Sequence, residues 1–250
     1  MLRSFFVAFQ FLTAIPVRIK GEVDCKLFSD ATVYFPVVGI ILGLILSIVH
    51  RVSYALVSDS LACIISVVIL ILLTGGLHID GFADTIDGFY AGRNKEEILK
   101  IMKDPHVGTM GVIAIVCLIM LKTGFIGLLD IPLRLNTLVI MPVLSRWSMV
   151  FAMFLFGYAR DQGKAKKFFS GLNAVRLFLA TLITIVFVIL FMGSTGLLLM
   201  FAVLLATYSA GVIFKRKING LTGDILGFIN ELNELIVLST LYLNIFLISG

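Results

Sequence analysis

Charge is what this 250-residue sequence has least of. Asp, Glu, Lys and Arg make up 14% of it, against about a quarter in an ordinary soluble domain. With 60% hydrophobic residues and a mean hydropathy of +1.09, that shortage excludes a soluble fold, because no stretch outside the apolar runs is long enough to build its own core. Cysteine is scarce as well. Cys25, Cys63 and Cys117 lack any CxxC spacing, which argues against a zinc site and a disulfide framework; two of them lie in apolar runs, where cysteine acts as a small hydrophobe. The basic, apolar N-terminus has no clear small-x-small cleavage site and leads into more membrane, so a signal peptide is not expected. No internal repeat or low-complexity linker is visible. The net charge of +5 reflects basic loops on one side of a membrane and gives no reason to expect nucleic acid.

What is present is a series of apolar runs. Ala31–Val49, Ser60–Thr74 (starting near Tyr54), Val107–Leu129, Leu135–Ala159 and Leu235–Ser249 each read as a membrane crossing. Leu177–Phe214 is uncharged and far longer than the ~20 residues of one crossing, so Gly193-Ser194-Thr195-Gly196 is expected to fold it into a hairpin of two. The expectation is one all-α unit over residues 1–250: a polytopic helical bundle of about seven transmembrane helices. Ser4–Val17 is short for a crossing and reads as an interfacial or re-entrant helix ending at Pro16. Arg3, Arg18, Lys20 and Lys26, then Arg93, Lys95, Lys100 and Lys103, then Arg160, Lys164, Lys166, Lys167 and Arg176, then Lys215, Arg216 and Lys217 fall on one side of such a bundle. Only Arg51 and Arg134 fall on the other. The basic side is expected to face the cytoplasm.

The polar residues gather in two places, both on that side. In Gly75–Gly111, Asp80, Asp84 and Asp87 stand at i, i+4 and i+7, one face of a helix over roughly 10 Å. Like charges at this spacing destabilise a helix and call for a cation. Oxygen-only ligands suit Mg²⁺ or Mn²⁺; a merely solvated acidic face fits less well beside Phe82, Ala83, Ile86 and Phe89. Gly81 and Gly88 follow two of the aspartates, where a bulky ligand could approach the backbone. His78 precedes the row and is either a structural hydrogen-bonder or a catalytic group. Asn94–Met102 reads as an amphipathic helix without chemistry. Gly108-Thr109-Met110-Gly111 opens the next crossing, either as a phosphate-binding helix N-terminus or as a simple turn. In the second cluster Asp224, Glu231 and Glu234 stand at i, i+7 and i+10; capping accounts for the first two, whereas Glu234 opens an apolar run, where an unpaired carboxylate is expensive. Arg146, deep in its run, needs a cavity or a partner. Lys122, nearer the end of its run, is expected to snorkel.

His78-x-Asp80-Gly81-x-Ala83-Asp84-x-x-Asp87-Gly88, Met102-Lys103-Asp104, Gly108-Thr109-x-Gly111 and Thr222-Gly223-Asp224-x-Leu226-Gly227 with Asn230-Glu231 resemble the cobalamin synthase family. Ser145-Arg146-Trp147, Tyr158-Ala159-Arg160 and Phe11-Leu12-Thr13-x-Ile15-Pro16 resemble its weaker motifs. Ala14 and Gly157 depart from the family's frequent Arg and Pro. The resemblance implies a Mg²⁺-dependent enzyme of the cell membrane, working at its cytoplasmic side, that joins α-ribazole or its 5′-phosphate to adenosylcobinamide-GDP and releases GMP. For that chemistry Asp80, Asp84 and Asp87 are expected as metal ligands, His78, Asp84, Lys103 and Asp104 as catalytic residues, and Arg146, Gly108, Thr222, Asp224, Asn230 and Glu231 as substrate contacts. The resemblance leaves a homo-oligomer open. The alternatives are a CDP-alcohol phosphatidyltransferase, whose D-G-x-x-A-R pattern fails because Asp84 follows Ala83, and an ion-coupled transporter, which predicts charges near midplane and repeated halves.

Overall fold

The computed structural model describes residues 2–19 and 24–249; Lys20, counted above among the basic residues, lies outside them. Among the described residues the secondary structure is helical throughout, the one strand-like pairing being a bridge between Tyr158 and Leu221. Order in chain is α1 (Leu2–Leu12), α2 (Cys25–Ala31), a 3-10 turn (Thr32–Tyr34), α3 (Phe35–Leu56), α4 (Asp59–Thr74), α5 (Leu77–Ala91), α6 (Lys95–Ile101), α7 (Thr109–Gly127), α8 (Ile131–Phe156), α9 (Lys166–Phe169), α10 (Ala174–Ile218) and α11 (Gly223–Ser249).

The bundle is organised around α8. From Thr137 to Val150 every residue of this helix is buried, and a helix apolar on all sides belongs inside a larger assembly of helices. On one flank α3 comes so close that a Cβ on Gly39 would lie 2.6 Å from the carbonyl oxygen of Pro142, and one on Gly43 2.4 Å from that of Val139. This small-xxx-small approach is how membrane helices gain packing contacts where lipid offers no hydrophobic contrast. On other flanks lie α10 and α11.

α10 has 45 residues, with a non-helical Gly193 (φ 56°, ψ −136°). Straight, it would reach about 68 Å, roughly twice a bilayer core. It folds back instead. Thr181 accepts from the Trp147 indole N–H at 2.9 Å, the Phe191 carbonyl accepts from Asn136 at 3.1 Å, and Tyr208 returns to Phe156 with ring centroids 6.1 Å apart. The chain thus descends along α8 and climbs back, as the glycines at 193 and 196 led us to expect.

By length and composition five helical segments suffice to cross a membrane, or six when α4 and α5 count as one broken crossing. The expected number was seven; it differs because α4, at 16 residues, is short and because α10 is a single element in that count. Several boundaries differ as well. α3 continues through Tyr54 to Leu56, so the second crossing starts only at Asp59. The last helix starts at Gly223, not near Leu235, and carries the whole second polar cluster on its first turns. α1 ends at Leu12, ahead of Pro16.

Between α4 and α5 two glycines set the site. Gly75 (φ 62°) ends α4, its N–H on the Leu72 carbonyl at 3.1 Å, and Gly76 (φ 71°) opens α5. Two successive left-handed residues turn the chain through 90°, a conformation most side chains resist. α5 therefore runs across the end of the bundle.

Candidate active site

α5 is helical over the whole aspartate row, so Asp80, Asp84 and Asp87 do share a face. α11 crosses directly behind it. A Cβ on Gly81 would stand 2.6 Å from the Asp224 carbonyl oxygen, and one on Gly227 3.0 Å from that of His78. The glycines after the aspartates thus serve helix packing, not ligand approach: Gly81 admits α11, and Gly88 admits Met102, whose Cγ would sit 2.6 Å from an added Cβ. This crossing brings the two polar clusters together. The Asp84 carboxylate lies within electrostatic reach of Asp80, Asp224, Asp87 and Arg160. Arg160 pairs with Asp224 at 2.8 Å, held there by the Ala159 N–H on the Leu221 carbonyl at 2.8 Å. In the same loop, burial pushes the Tyr158 phenol up from its ordinary value, Asp224 adding to this and Arg160 opposing it. Sequence reading gave Arg160 no role; the signal was its motif, one residue past the end of a long apolar run.

Asp87 is engaged differently from its two neighbours. Its carboxylate accepts the N–H of Gly108 at 2.7 Å and of Gly111 at 2.8 Å. Gly108 is the N-cap of α7, so Asp87 supplies across space the cap that the glycine cannot supply itself. The helix N-terminus expected to receive a phosphate through Gly108 has already received a carboxylate. Nor do the three aspartates close into one cage. Among the described residues, the one group of three or more His, Cys, Asp and Glu side chains whose ligand atoms all lie within 4.8 Å is His50, Asp59 and Cys63. That group sits at the other end of α8, where Arg134 donates to Asp59 and its Nη1 lies 3.3 Å from His50 Nε2 and 3.7 Å from Cys63 Sγ. A guanidinium already stands among those ligands.

The remaining carboxylates still suit a hard divalent cation. Asp80 is exposed, while Asp84 and Asp224 are half-buried, and Arg160 is the one cation bonded to this set among the described residues. Mg²⁺ is ordinarily held by one or two carboxylates completed by substrate phosphates, and Asp80 and Asp84, one helical turn apart, offer that.

His78 does not stand beside the row. Two positions before Asp80, it is turned about 200° around the helix and is buried at 1% exposure. Its Nε2 has no hydrogen-bond partner among the described residues, and the charges it feels are Arg146, Glu234 and Lys122. These belong to a network inside the bundle. Lys122 bonds both Glu231 and Glu234, Arg146 bonds Glu234 and the Ser145 hydroxyl (2.8 Å), and Asn230 donates to Glu231 at 3.2 Å and to Glu234 at 3.1 Å. Two cations balance two anions, which is what keeps buried charge tolerable. Lys122 therefore does not snorkel: at 3% exposure it points inward because two carboxylates await it. The expected substrate contacts Arg146, Asn230 and Glu231 are 0%, 0% and 4% exposed, closed to a ligand arriving from water. Thr222 is likewise buried; its hydroxyl accepts the Ile225 N–H at 3.2 Å and starts α11.

Lys103 and Asp104 are exposed on the α6–α7 loop. The Asp104 carboxylate accepts the His106 backbone N–H at 2.9 Å and meets the ring Nδ1 at 2.7 Å; these bonds, the backbone one first, hold it below the usual carboxylate range. Two cavities flank the acidic set. One, of about 720 Å³, lies between α1, the Gly75–Gly76 turn and α7, and Asp80 lines it with Gln10, Thr13 and Thr74. The N-terminal segment forms its wall, tied there by the Ala14 N–H on the Leu73 carbonyl at 2.8 Å. The other, of about 430 Å³, is lined by Lys95, Lys103 and Arg160.

The family model described as cobalamin-5-phosphate synthase matches residues 4–242. A protein named adenosylcobinamide-GDP ribazoletransferase from Alkaliphilus metalliredigens is 37% identical over 237 residues, covering 93% of this chain and 92% of that one. One of the same name from Clostridioides difficile is 33% identical over 256 residues, covering 98% and 99%. A third, from Desulforamulus reducens, is 37% identical over 237 residues and 94% of each. No solved structure matches. A match over nearly the whole length, through both polar clusters and the loop that joins them at Arg160, leaves one conclusion: the chain belongs to the cobalamin-5-phosphate synthase family.

Proposed function

We propose that this chain is a membrane-embedded adenosylcobinamide-GDP ribazoletransferase with its active site on the cytoplasmic side. The observation that carries the proposal is the meeting of Asp80, Asp84 and Asp224 with Arg160 at the end of the bundle where the basic loops gather. A ribose hydroxyl of α-ribazole, or of its 5′-phosphate, attacks the cobinamide-side phosphorus of the diphosphate. The new P–O bond forms as the bond to the bridging oxygen breaks, and GMP leaves with that electron pair. Bound Mg²⁺ would neutralise the diphosphate and polarise the phosphoryl oxygens. Asp80 and Asp84 would hold it. Asp224 keeps Arg160 at the rim, where its guanidinium faces negative charge. The half-buried Asp84 is better placed to take the hydroxyl proton than His78, which is buried away from the row.

An ion-coupled transporter would share the buried Lys122–Glu231–Glu234–Arg146 cluster. Its charges are matched two against two and fixed by Ser145 and Asn230, which favours a structural bridge. The test is purified chain in lipid with adenosylcobinamide-GDP and α-ribazole. The proposal expects equal amounts of GMP and cobalamin product, dependent on Mg²⁺ and abolished by EDTA. Uptake of substrate into vesicles without GMP release would overturn it.

A further inference from the structure

The two cavities beside the acidic set differ in charge. The Asp80 cavity is lined by Gln10, Thr13, Thr74 and apolar groups, with Asp80 as its one charged residue among the described lining. The second is lined by Lys95, Lys103 and Arg160, against the single carboxylate of Asp161. Arg160 connects this second basin to the site. One arm of its guanidinium, Nη1, pairs with Asp224 at 2.8 Å. The other donors, Nε and Nη2, are buried and have no hydrogen-bond partner among the described residues. Leaving such donors unmet is costly, and a guanidinium with two unmet donors beside a cavity it lines can take a phosphate by two parallel bonds once a side-chain shift uncovers them.

We propose that this basin is the subsite for the departing nucleoside monophosphate: its phosphate docks on the free edge of Arg160, with Lys95 and Lys103 as further cations, while the hydroxyl-bearing acceptor approaches from the Asp80 cavity. The inference rests on the transferase reading above and adds a direction to it. In-line transfer needs nucleophile and leaving group on opposite sides of the phosphorus. The acidic set links the two cavities, which share no lining residue: Asp80 lines one, and Asp224 pairs with Arg160, which lines the other. Against unphosphorylated α-ribazole, which carries no phosphate, the leaving group has the larger negative charge, so it takes the basic side. Asp224 is then a positioning residue, because it aims Arg160 without touching substrate.

The test compares product inhibition with acceptor kinetics in the purified full-length chain in lipid. Arg160→Ala should weaken inhibition by GMP about tenfold or more, the loss expected for charge-assisted hydrogen bonds, while the KM for α-ribazole stays within about twofold. Arg160→Lys keeps the charge but not the fork and should fall between. Lys103→Ala, at an exposed position, should weaken GMP inhibition by a smaller factor, and Lys215→Ala, an exposed lysine of α10 that does not line the basin, should not. Direct binding of labelled GMP to wild-type and Lys103→Glu protein gives an answer if Arg160 variants do not fold: affinity should fall with the reversed charge. The inference is overturned if GMP binds the Arg160 or Lys103 variants as well as wild type, or if the α-ribazole KM rises in step with GMP inhibition. Failure of the transferase reading looks different: wild-type protein would then release no GMP at all.

Discussion

The carboxylate of Asp87 closes the N-terminus of α7 at Gly108, 2.7 Å from its N–H, with Gly111 completing the cap at 2.8 Å. An aspartate that reads in the sequence as the third member of an acidic row is thus tied to another helix 21 residues on. Asp87→Asn would retain one acceptor and face the other N–H with an amide. A cap loss of about 1–2 kcal/mol, enlarged by burial, is expected. Thermal unfolding in detergent should show a lowered midpoint with and without Mg²⁺.

Asp80 and Asp84 should behave in the opposite way. If they hold Mg²⁺ in the folded state, millimolar Mg²⁺ stabilises wild type by mass action. Asp80→Asn and Asp84→Asn should lose this Mg²⁺-dependent shift, and removing the repulsion along α5 should leave their metal-free stability equal to wild type or higher. Melting curves across a Mg²⁺ titration separate these variants from Asp87→Asn.

The crossing of α5 and α11 predicts a contrast between two glycines. In Gly81→Ala the new Cβ would meet Asp224 backbone at 2.6–2.8 Å, and backbone cannot move aside without separating Asp224 from Asp84. Overpacking of this kind costs about 1–3 kcal/mol, and turnover should drop with stability. Gly76→Ala meets nothing within 4 Å and pays only for its left-handed conformation, about 1 kcal/mol. Its turnover should stay closer to wild type than that of Gly81→Ala, as measured by initial rates at equal protein.

The buried network predicts a rescue. Lys122→Met leaves Glu231 and Glu234 sharing Arg146, and stranding a buried charge costs about 3–5 kcal/mol. The yield of folded protein should fall steeply. Lys122→Met combined with Glu231→Gln restores one cation to one anion and should recover much of it, as read by monodisperse protein after extraction. If the double variant is worse than the single one, the two side chains are not coupled.

Much of the fold was legible in the sequence because its signals are local: uncharged runs of crossing length, the Gly193–Gly196 break, the one-sided basic loops. The helical face of Asp80, Asp84 and Asp87 was legible for the same reason. What periodicity does not convey is which helix lies across from a face. Asp87 and Asp84 share a face, yet it is Asp87 that accepts the N–H groups at the start of α7. Asp224 and Glu231 are seven residues apart on one side of α11, but two helical turns of about 10 Å carry one to the rim with Arg160 and the other into the interior with Lys122. Lys122 itself resembled a snorkelling lysine because distance to the end of a run says nothing of carboxylates 109 and 112 residues further on. His78 seemed to join the aspartates by proximity in sequence, and the helix turns it away from them.

The central claim is that Asp84, with Asp80 and Asp224, carries the Mg²⁺-dependent transfer. The most direct measurement is GMP release by Asp84→Asn protein that has been shown to be folded and inserted, across a Mg²⁺ titration. The account predicts turnover lower by about a thousandfold or more, the scale of losing a metal-borne charge or a catalytic base, with no recovery at high Mg²⁺. Wild-type turnover with wild-type Mg²⁺ dependence would contradict it.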